Sequence, residues 1–438
     1  MTNNEHLFDK ALDVWIKQLP QIKDVIEMIP ITWENPLLNH SKIEFDEELG
    51  NARERWRRFA PYLQTAFPEL HRTNGVIDSN LQKINNMKQY LANHYQVNIT
   101  GELYMKCDHQ LPIAGSVKAR GGIYEVLTYA EKIGFQHNML SIDDPYSVLN
   151  EPRFKQLFSN YTIGVGSTGN LALSIGIISA KLGFKVNVYM SMDAKQWKKD
   201  LLRNKGVHVH ECSGDFSDAV KYGRIRTSLA PNGYFVDDEN SKDLFYGYST
   251  AAFHLQKQLN NKGIQVDHHH PLYVYLPCGV GGAPSGISAG LKGIFGSHVH
   301  CYFAEPTHAP AVLLGLMTNK LDKVCVQDFG IDGRTEADGL AVGRPSAFAI
   351  KKIQSLIDGI YTMDDDELFK LLSLLFDSEN IAIEPSAAAS LLGPVEIARR
   401  ESIPKKTTHV VWATGGSFVP REEMLDFYEK GKLLLNLN

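Results

Sequence analysis

The sequence predicts an α/β protein with two parallel or mostly parallel sheets covered by helices, preceded by a helical N-terminal region. Three observations carry this. From about Tyr161 onward, short β-branched runs alternate with helix-period segments, the order that builds parallel sheets under helices. Such runs recur seven times, more than one small sheet uses, which points to two α/β domains. The first hundred residues instead place apolar residues at three- and four-residue intervals, the helical spacing.

In chain order, helical segments are expected at Leu7–Ile16, Phe45–Phe67 and Leu81–Tyr95. The charged positions Arg53, Arg55, Arg57 and Arg58 read as solvated helix surface. Strands follow at Tyr161–Val165, Lys185–Met190, Val207–Glu211 and Tyr234–Asp237, then at Leu272–Leu276, Val299–Ala304 and His409–Ala413. Between them the helical period returns at Asn170–Leu182, Ser241–Leu259 and Ala283–Phe295. No Pro-, Gly- or Ser-rich linker separates the two expected domains, so the chain is expected to cross between them tightly.

Composition narrows the function class. The 438 residues are 43% hydrophobic and 22% charged, as in ordinary globular proteins. With 50 acidic against 45 basic residues the formal charge is −5. A nucleic-acid partner is therefore not expected, because neutralising phosphates needs a Lys/Arg surplus. Five cysteines (Cys107, Cys212, Cys278, Cys301, Cys325) stand far apart without a CxxC pair. They suit reduced thiols better than a disulfide framework or a zinc site. The polar start of the chain has no signal-peptide apolar region, and no run reaches the length of a membrane span. The expectation is a cytoplasmic protein without a membrane partner, either an enzyme or a ligand-binding protein.

Four motifs carry chemistry. In Gly115-Ser116-Val117-Lys118-Ala119-Arg120-Gly121-Gly122, Ser116 is a candidate N-cap and Lys118 falls in the first helical turn. The helix dipole disfavours an ammonium there, which favours the neutral amine that a nucleophile or Schiff base requires. A solvated surface lysine is the plain alternative. The second motif, Gly164-Val165-Gly166-Ser167-Thr168-Gly169-Asn170, satisfies GxGxxG, with Asp193 near the place of a ribose-binding acid. A dinucleotide site and a ligand-free tight turn both remain open. Ser167, Thr168 and Asn170 also set side-chain donors beside a helix N-terminus, a seat for a small carboxylate. Third, Cys278-Gly279-Val280-Gly281-Gly282-Ala283 lies between a strand and a helix, where consecutive amides can converge on a phosphate. Fourth, Thr414 closes the strand His409–Ala413 in the run Trp412-Ala413-Thr414-Gly415-Gly416-Ser417. The pair His208/His210 and the run His268–His270 lack the companions that zinc spacing requires. A dinucleotide explains one loop and leaves Lys118 idle. Pyridoxal 5′-phosphate uses all four motifs, since it needs an amine, a phosphate cradle, a partner for its ring nitrogen and a seat for the substrate carboxylate.

Seven blocks, in order, resemble one family: GSVKARGGIYEVLTYAEK, VGSTGNLALSIG, DDENSKDLFYGYS, YLPCGVGGAPSG, HVHCYFAEPTHAP, GIDGRTEADGLAVGR and VVWATGGSFVP. They are similar to the bacterial D-serine dehydratase family, within the serine/threonine dehydratases and the tryptophan synthase β-like group (pyridoxal-phosphate fold type II). The resemblance runs over most of the chain and includes the helical N-terminal region. It implies a lyase converting D-serine to pyruvate and ammonia by β-elimination, with Lys118 as Schiff-base lysine and Cα base. It further implies that Gly279, Val280, Gly281 and Gly282 cradle the phosphate, that Asn170 bonds the ring 3′-hydroxyl, and that Thr414 faces the pyridine nitrogen. Ser167, Thr168, Asn170, Asp237 and Asp238 are the implied substrate contacts. The cofactor phosphate is the first candidate to protonate the leaving hydroxyl, with Asp237 or Asp238 the second. Glu305 is the candidate ligand of a monovalent cation, K+ or Na+, with an ordinary strand-end carboxylate as the alternative. Ala283 and Ser285 depart from the family's glycine-heavy loop, and a phosphate contact at Ala283 requires a negative φ. The implied organisation is 1–121 as helical region and part of a larger domain, 122–253 as a smaller inserted domain, and 254–438 as the rest of the larger one. A monomer acting on a small amino-acid substrate is expected. The competing readings are an L-threonine or L-serine dehydratase of the same fold, an NAD-dependent oxidoreductase using Gly164–Gly169, and a silent phosphate-ligand sensor.

Overall fold

The computed structural model describes residues 12–40, 46–167, 169–192, 194–214, 216–400 and 403–437. The chain divides into two compact units: Met1–Phe45, Asn80–His109 and Ala252–Asn438 make the larger, Asp46–Ser79 and Gln110–Ala251 the smaller. Residues 46–79 thus belong with the smaller unit, a grouping the helical spacing alone does not reveal.

The smaller unit holds an all-parallel sheet of β4 (Thr162–Gly166), β5 (Lys185–Ser191), β6 (His208–Cys212) and β7 (Gly233–Val236) in the order β6-β5-β4-β7. The central β4 is buried throughout, as a strand covered by helices on both faces must be. The larger unit holds seven strands in the order β1-β10-β9-β8-β11-β3-β2. The five inner ones run parallel: β3 (Glu102–Lys106), β8 (Leu272–Pro277), β9 (Val299–Pro306), β10 (Gly359–Met363) and β11 (Thr408–Trp412). The edges β1 (Thr32–Glu34) and β2 (Leu81–Lys83) are antiparallel. Every β-branched run expected to be a strand is one. β1, β2, β3 and β10 are additions: β1 and β2 have three residues each, too few to show alternation.

Two helical expectations change. The stretch Leu81–Tyr95 opens as β2 and becomes helical only at Asn85–Tyr95. The long stretch from Ser241 breaks into helices Lys242–Ser249 and Ala251–Asn261, at the border between the units. The arginine-rich helix Glu47–Ala66 is corrected more deeply. Arg57 is solvated, but Arg55 and Arg58 both bond the buried Glu131, at 2.7 Å each. Tyr146 adds a third bond at 2.7 Å, and together these hold the Glu131 carboxyl below its usual range despite burial. A buried carboxylate stripped of such partners costs about 3–5 kcal/mol. The arginines therefore fasten helix Glu47–Ala66 to helix Lys118–Gln136, both in the smaller unit.

All five cysteines are free thiols. Among the described residues, no helix is long and apolar enough to cross a membrane.

Candidate active site

Lys118 is the first residue of helix Lys118–Gln136. The chain turns into it at Gly115, whose φ of +60° only glycine adopts freely. Val117 occupies the cap position without a side-chain bond, and the buried Ser116 hydroxyl has no hydrogen-bond partner, so the expected serine cap is not made. The next turn is packed against its neighbours. A Cβ at Gly121 would overlap the Tyr248 ring, and one at Gly122 would overlap the Ser174 hydroxyl. Side-chain-free positions are needed there for helices Asn170–Leu182 and Lys242–Ser249 to approach. Lys118 Nζ, 21% exposed, lies 3.4 Å from Asp238 Oδ2 and 5.8 Å from the centre of the Tyr248 ring. Asp238 is a counter-charge that the dipole argument from sequence did not include.

The turns after β4 and β7 sit side by side, because these strands are parallel neighbours. After β4, the Ser167 hydroxyl accepts the Gly169 amide at 3.2 Å, and Asn170 begins the helix Asn170–Leu182. Thr168, expected to touch substrate, and Asp193, the expected ribose acid, lie outside the described residues. The dinucleotide reading of this loop fails on its first two glycines, which are strand residues. A Cβ at Gly164 would overlap Thr227 Oγ1, and one at Gly166 would stand 2.7 Å from Val220 Cα. They admit the helix Phe216–Ser228 rather than a pyrophosphate.

After β7 the two aspartates separate in role. Asp237 is bound by Arg224 at 3.0 Å and accepts the Glu239 amide, which closes its own turn. Asp238 instead faces Lys118, and its Oδ1 is buried without a partner. Two groups beside it went unnoticed in the sequence. Tyr248 is fully buried and its hydroxyl has no hydrogen-bond partner. Glu125 is buried too, and burial pushes its carboxyl up to about 8. Its position seven residues after Lys118, two turns along the same helix face, was the available signal.

In the larger unit, β9, β8, β11 and β3 are successive parallel neighbours, so their carboxyl ends share one edge of the sheet. After β8, Gly281 (φ +95°) caps the helix Gly282–Phe295. The Val280 carbonyl is taken by the Ser346 amide at 2.7 Å, and a Cβ at Gly279 would lie 2.8 Å from Gly339 O. Ala283 is a helix residue with no positive φ, so its methyl leaves the amide available. The Ser285 hydroxyl, in the first turn of that helix, is buried and unpartnered.

After β11 comes Thr414, half-buried. The main-chain amide of His109 bonds Ala413 O at 2.7 Å, and Trp412 Nε1 bonds Asp108 Oδ2 at 2.7 Å, bracing this strand end. The His109 ring is buried with neither nitrogen bonded, and burial pushes it down to about 4. Glu305, on β9, accepts the amides of Val312 and Leu313 at 2.8 Å each, and burial pushes it up to about 8. It works as a helix-terminus acceptor. Of the histidines in the two His-rich stretches, His210 pairs with Asn187 and His270 with Asp267.

Each unit, taken by itself, carries groups of the kinds that pyridoxal phosphate requires. A glycine cradle opens a 14-residue helix and carries a spare buried hydroxyl, as a phosphate requires. A hydroxyl closes the adjacent strand, and a helix-start amine has a carboxylate beside it.

Comparison with known proteins agrees. The family model for pyridoxal-phosphate dependent enzymes matches residues 76–415. A probable D-serine dehydratase of Bacillus mycoides is 52% identical over 96% of this chain and 98% of its own. One of Geobacillus stearothermophilus is 50% identical over 98% and 96%. Holo diaminopropionate ammonia lyase from Escherichia coli superposes with a TM-score of 0.73 at 17% identity, over 93% of this chain and 98% of that one, a likeness of fold. With a lysine, a glycine cradle and relatives aligned almost end to end, the chain belongs to the pyridoxal-phosphate dependent enzyme family, among relatives named probable D-serine dehydratases.

Proposed function

We propose that this chain is a pyridoxal 5′-phosphate-dependent lyase that converts D-serine to pyruvate and ammonia by β-elimination. The observation that carries the reading is identity of 50–52% to probable D-serine dehydratases over at least 96% of the chain. In this proposal Lys118 Nζ holds the cofactor aldehyde and, once displaced by the substrate amine, accepts the Cα proton. When bound, the cofactor supplies the electron sink for the charge left at Cα.

The amides of Gly279, Val280, Gly281 and Gly282, with the helix dipole behind them, receive the phosphate, and the Ser285 hydroxyl adds a donor. Thr414 offers a neutral hydroxyl to the ring nitrogen, which favours elimination over transamination. Asn170 bonds the ring hydroxyl. The Ser167–Asn170 turn, Thr168 included, seats the substrate carboxylate. Asp238, 3.4 Å from Lys118 Nζ, is placed to receive the proton that Lys118 takes from Cα and to pass it to the leaving hydroxyl, whereas Asp237 is bound to Arg224. A monovalent cation, K+ or Na+, at Glu305 rests on the resemblance alone, because both carboxylate oxygens already accept amide bonds. A monomer in the cytoplasm completes the proposal, and five free thiols suit a reducing compartment.

The test is the visible spectrum of the purified protein before and after D-serine, with pyruvate and 2-oxobutyrate measured from D- and L-serine and D- and L-threonine. A yellow protein producing pyruvate chiefly from D-serine supports the proposal, and faster turnover of L-threonine overturns it. Lys118→Ala is expected to lose both the bound-cofactor absorbance and turnover.

A further inference from the structure

One helix carries both Lys118 and Glu125, and the turn that meets Lys118 is tied back to Glu125. Glu125 Oε1 accepts the Tyr234 hydroxyl at 2.8 Å, and Oε2 accepts the Ser241 hydroxyl at 2.5 Å. Tyr234 lies in β7, just before the turn. Ser241 follows it and caps the helix Lys242–Ser249 by accepting the Leu244 amide at 3.0 Å. The two bonds therefore grip both ends of the segment Asp237–Asn240. Inside it, Asp237 accepts the Glu239 amide at 3.2 Å, and the Ser241 amide returns to Asp237 O at 2.9 Å. What this segment presents to Lys118 is Asp238, at 3.4 Å.

Burying a carboxyl group is unfavourable, and Glu125 is 1% exposed. An apolar residue would fill the space at less cost, but it could accept neither hydroxyl. A carboxyl group offers two oxygens a fixed distance apart, one for each hydroxyl, which suits a group spanning the two ends of one turn.

We propose that Glu125 is a positioning residue for the elimination: by accepting the Tyr234 and Ser241 hydroxyls it holds the Asp237–Asn240 turn and so sets Asp238 against Lys118 Nζ. The inference rests on reading Lys118 as the cofactor lysine. The geometry closes a loop from Lys118 along its own helix to Glu125, across to the turn, and back through Asp238. Glu125 touches no reacting atom in this scheme and acts only through Asp238.

Two measurements test it. In the cofactor-free protein, hydrogen exchange of the segment 236–245 is expected to quicken in Glu125→Ala, while the helix Asn170–Leu182 is unchanged. In the holoenzyme, Glu125→Ala is expected to lower kcat for D-serine about 30-fold with little change in KM, less than the roughly 100-fold or more that outright loss of an acid–base group costs. Glu125→Gln keeps one acceptor and is expected to recover most of the loss. In an Asp238→Asn background the Glu125→Ala effect is expected to shrink to about twofold or less, since residues acting through one group are not additive. Full additivity, or unchanged exchange in 236–245, overturns the inference. Should Glu125→Ala fail to fold, Tyr234→Phe and Ser241→Ala each remove one anchor and face the same criteria. A wild-type protein inert towards D-serine would sink the proposed reaction, and the exchange measurement would then decide on the clamp by itself.

Discussion

Two glycine-rich stretches, Gly164–Gly169 and Cys278–Ala283, each lie between a buried parallel strand and a helix, the first beginning inside its strand, yet their glycines do different work. In the first, Gly164 and Gly166 still belong to β4, and their missing side chains make room for Thr227 and Val220. In the second, the strand has ended at Pro277, and Gly281 turns the chain into a helix at a φ of +95°. Where the glycine stands relative to the strand end decides its use. Inside the strand it serves packing between a sheet and a helix. Beyond the strand it turns the chain into a helix start, where we propose the phosphate is received.

That contrast breaks most readily at Gly164→Ala. The added methyl would overlap Thr227 Oγ1 and stand 2.9 Å from Thr227 Cβ, so a destabilisation of about 2–3 kcal/mol is expected by overpacking. Denaturant unfolding reads the loss, and absorbance titration is expected to find cofactor affinity of the folded protein unchanged. The reverse is expected at Gly281→Ala. Strain at positive φ costs about 1 kcal/mol of folding stability, while cofactor affinity falls about tenfold as the cradle shifts. Equal effects of the two substitutions on cofactor affinity would erase the distinction.

Glu305 sharpens it further. A Cβ at Gly281 would touch Val312 Cγ2 at 3.2 Å, and Val312 is the residue whose amide Glu305 accepts. The folded chain holds the Glu305 proton more tightly than the unfolded one, up to about 8 against an ordinary 4.5. Folded protein therefore binds more protons across that window, and this group's contribution makes stability fall as pH rises through it. Glu305→Gln removes that slope and one amide acceptor, so the variant is expected to be about 1–2 kcal/mol less stable at pH 5. The gap to wild type closes as pH rises, and the order is expected to reverse before pH 8. Melting temperatures of both proteins from pH 5 to 8.5 check the sign.

Much of the architecture was readable along the chain. β-branched runs bounded by turn residues marked seven strands. Five of them are buried over most or all of their length, as strands covered on both faces must be, and β6 and β7 are more exposed at the edges of their sheet. Short β1 and β2 were invisible, since three residues cannot display a period. Lys118 was legible as an amine planted at the wrong end of a helix dipole, and Gly281 as a turn glycine beside a strand. Arg55 and Arg58 were misread as solvent-facing, because their partner Glu131 lies more than seventy residues away.

Sequence by itself determined seven of the strands, the family, and the place of Lys118 at a helix start, since these rest on local spacing and on ordered blocks that survive without coordinates. Tertiary structure alone decided that Asp238 rather than Asp237 meets Lys118, that Gly164 serves a helix, and that Glu125 ties down a distant turn. Each of those is a pairing between residues far apart in sequence, set by which strands lie side by side and by which buried polar group must find a partner.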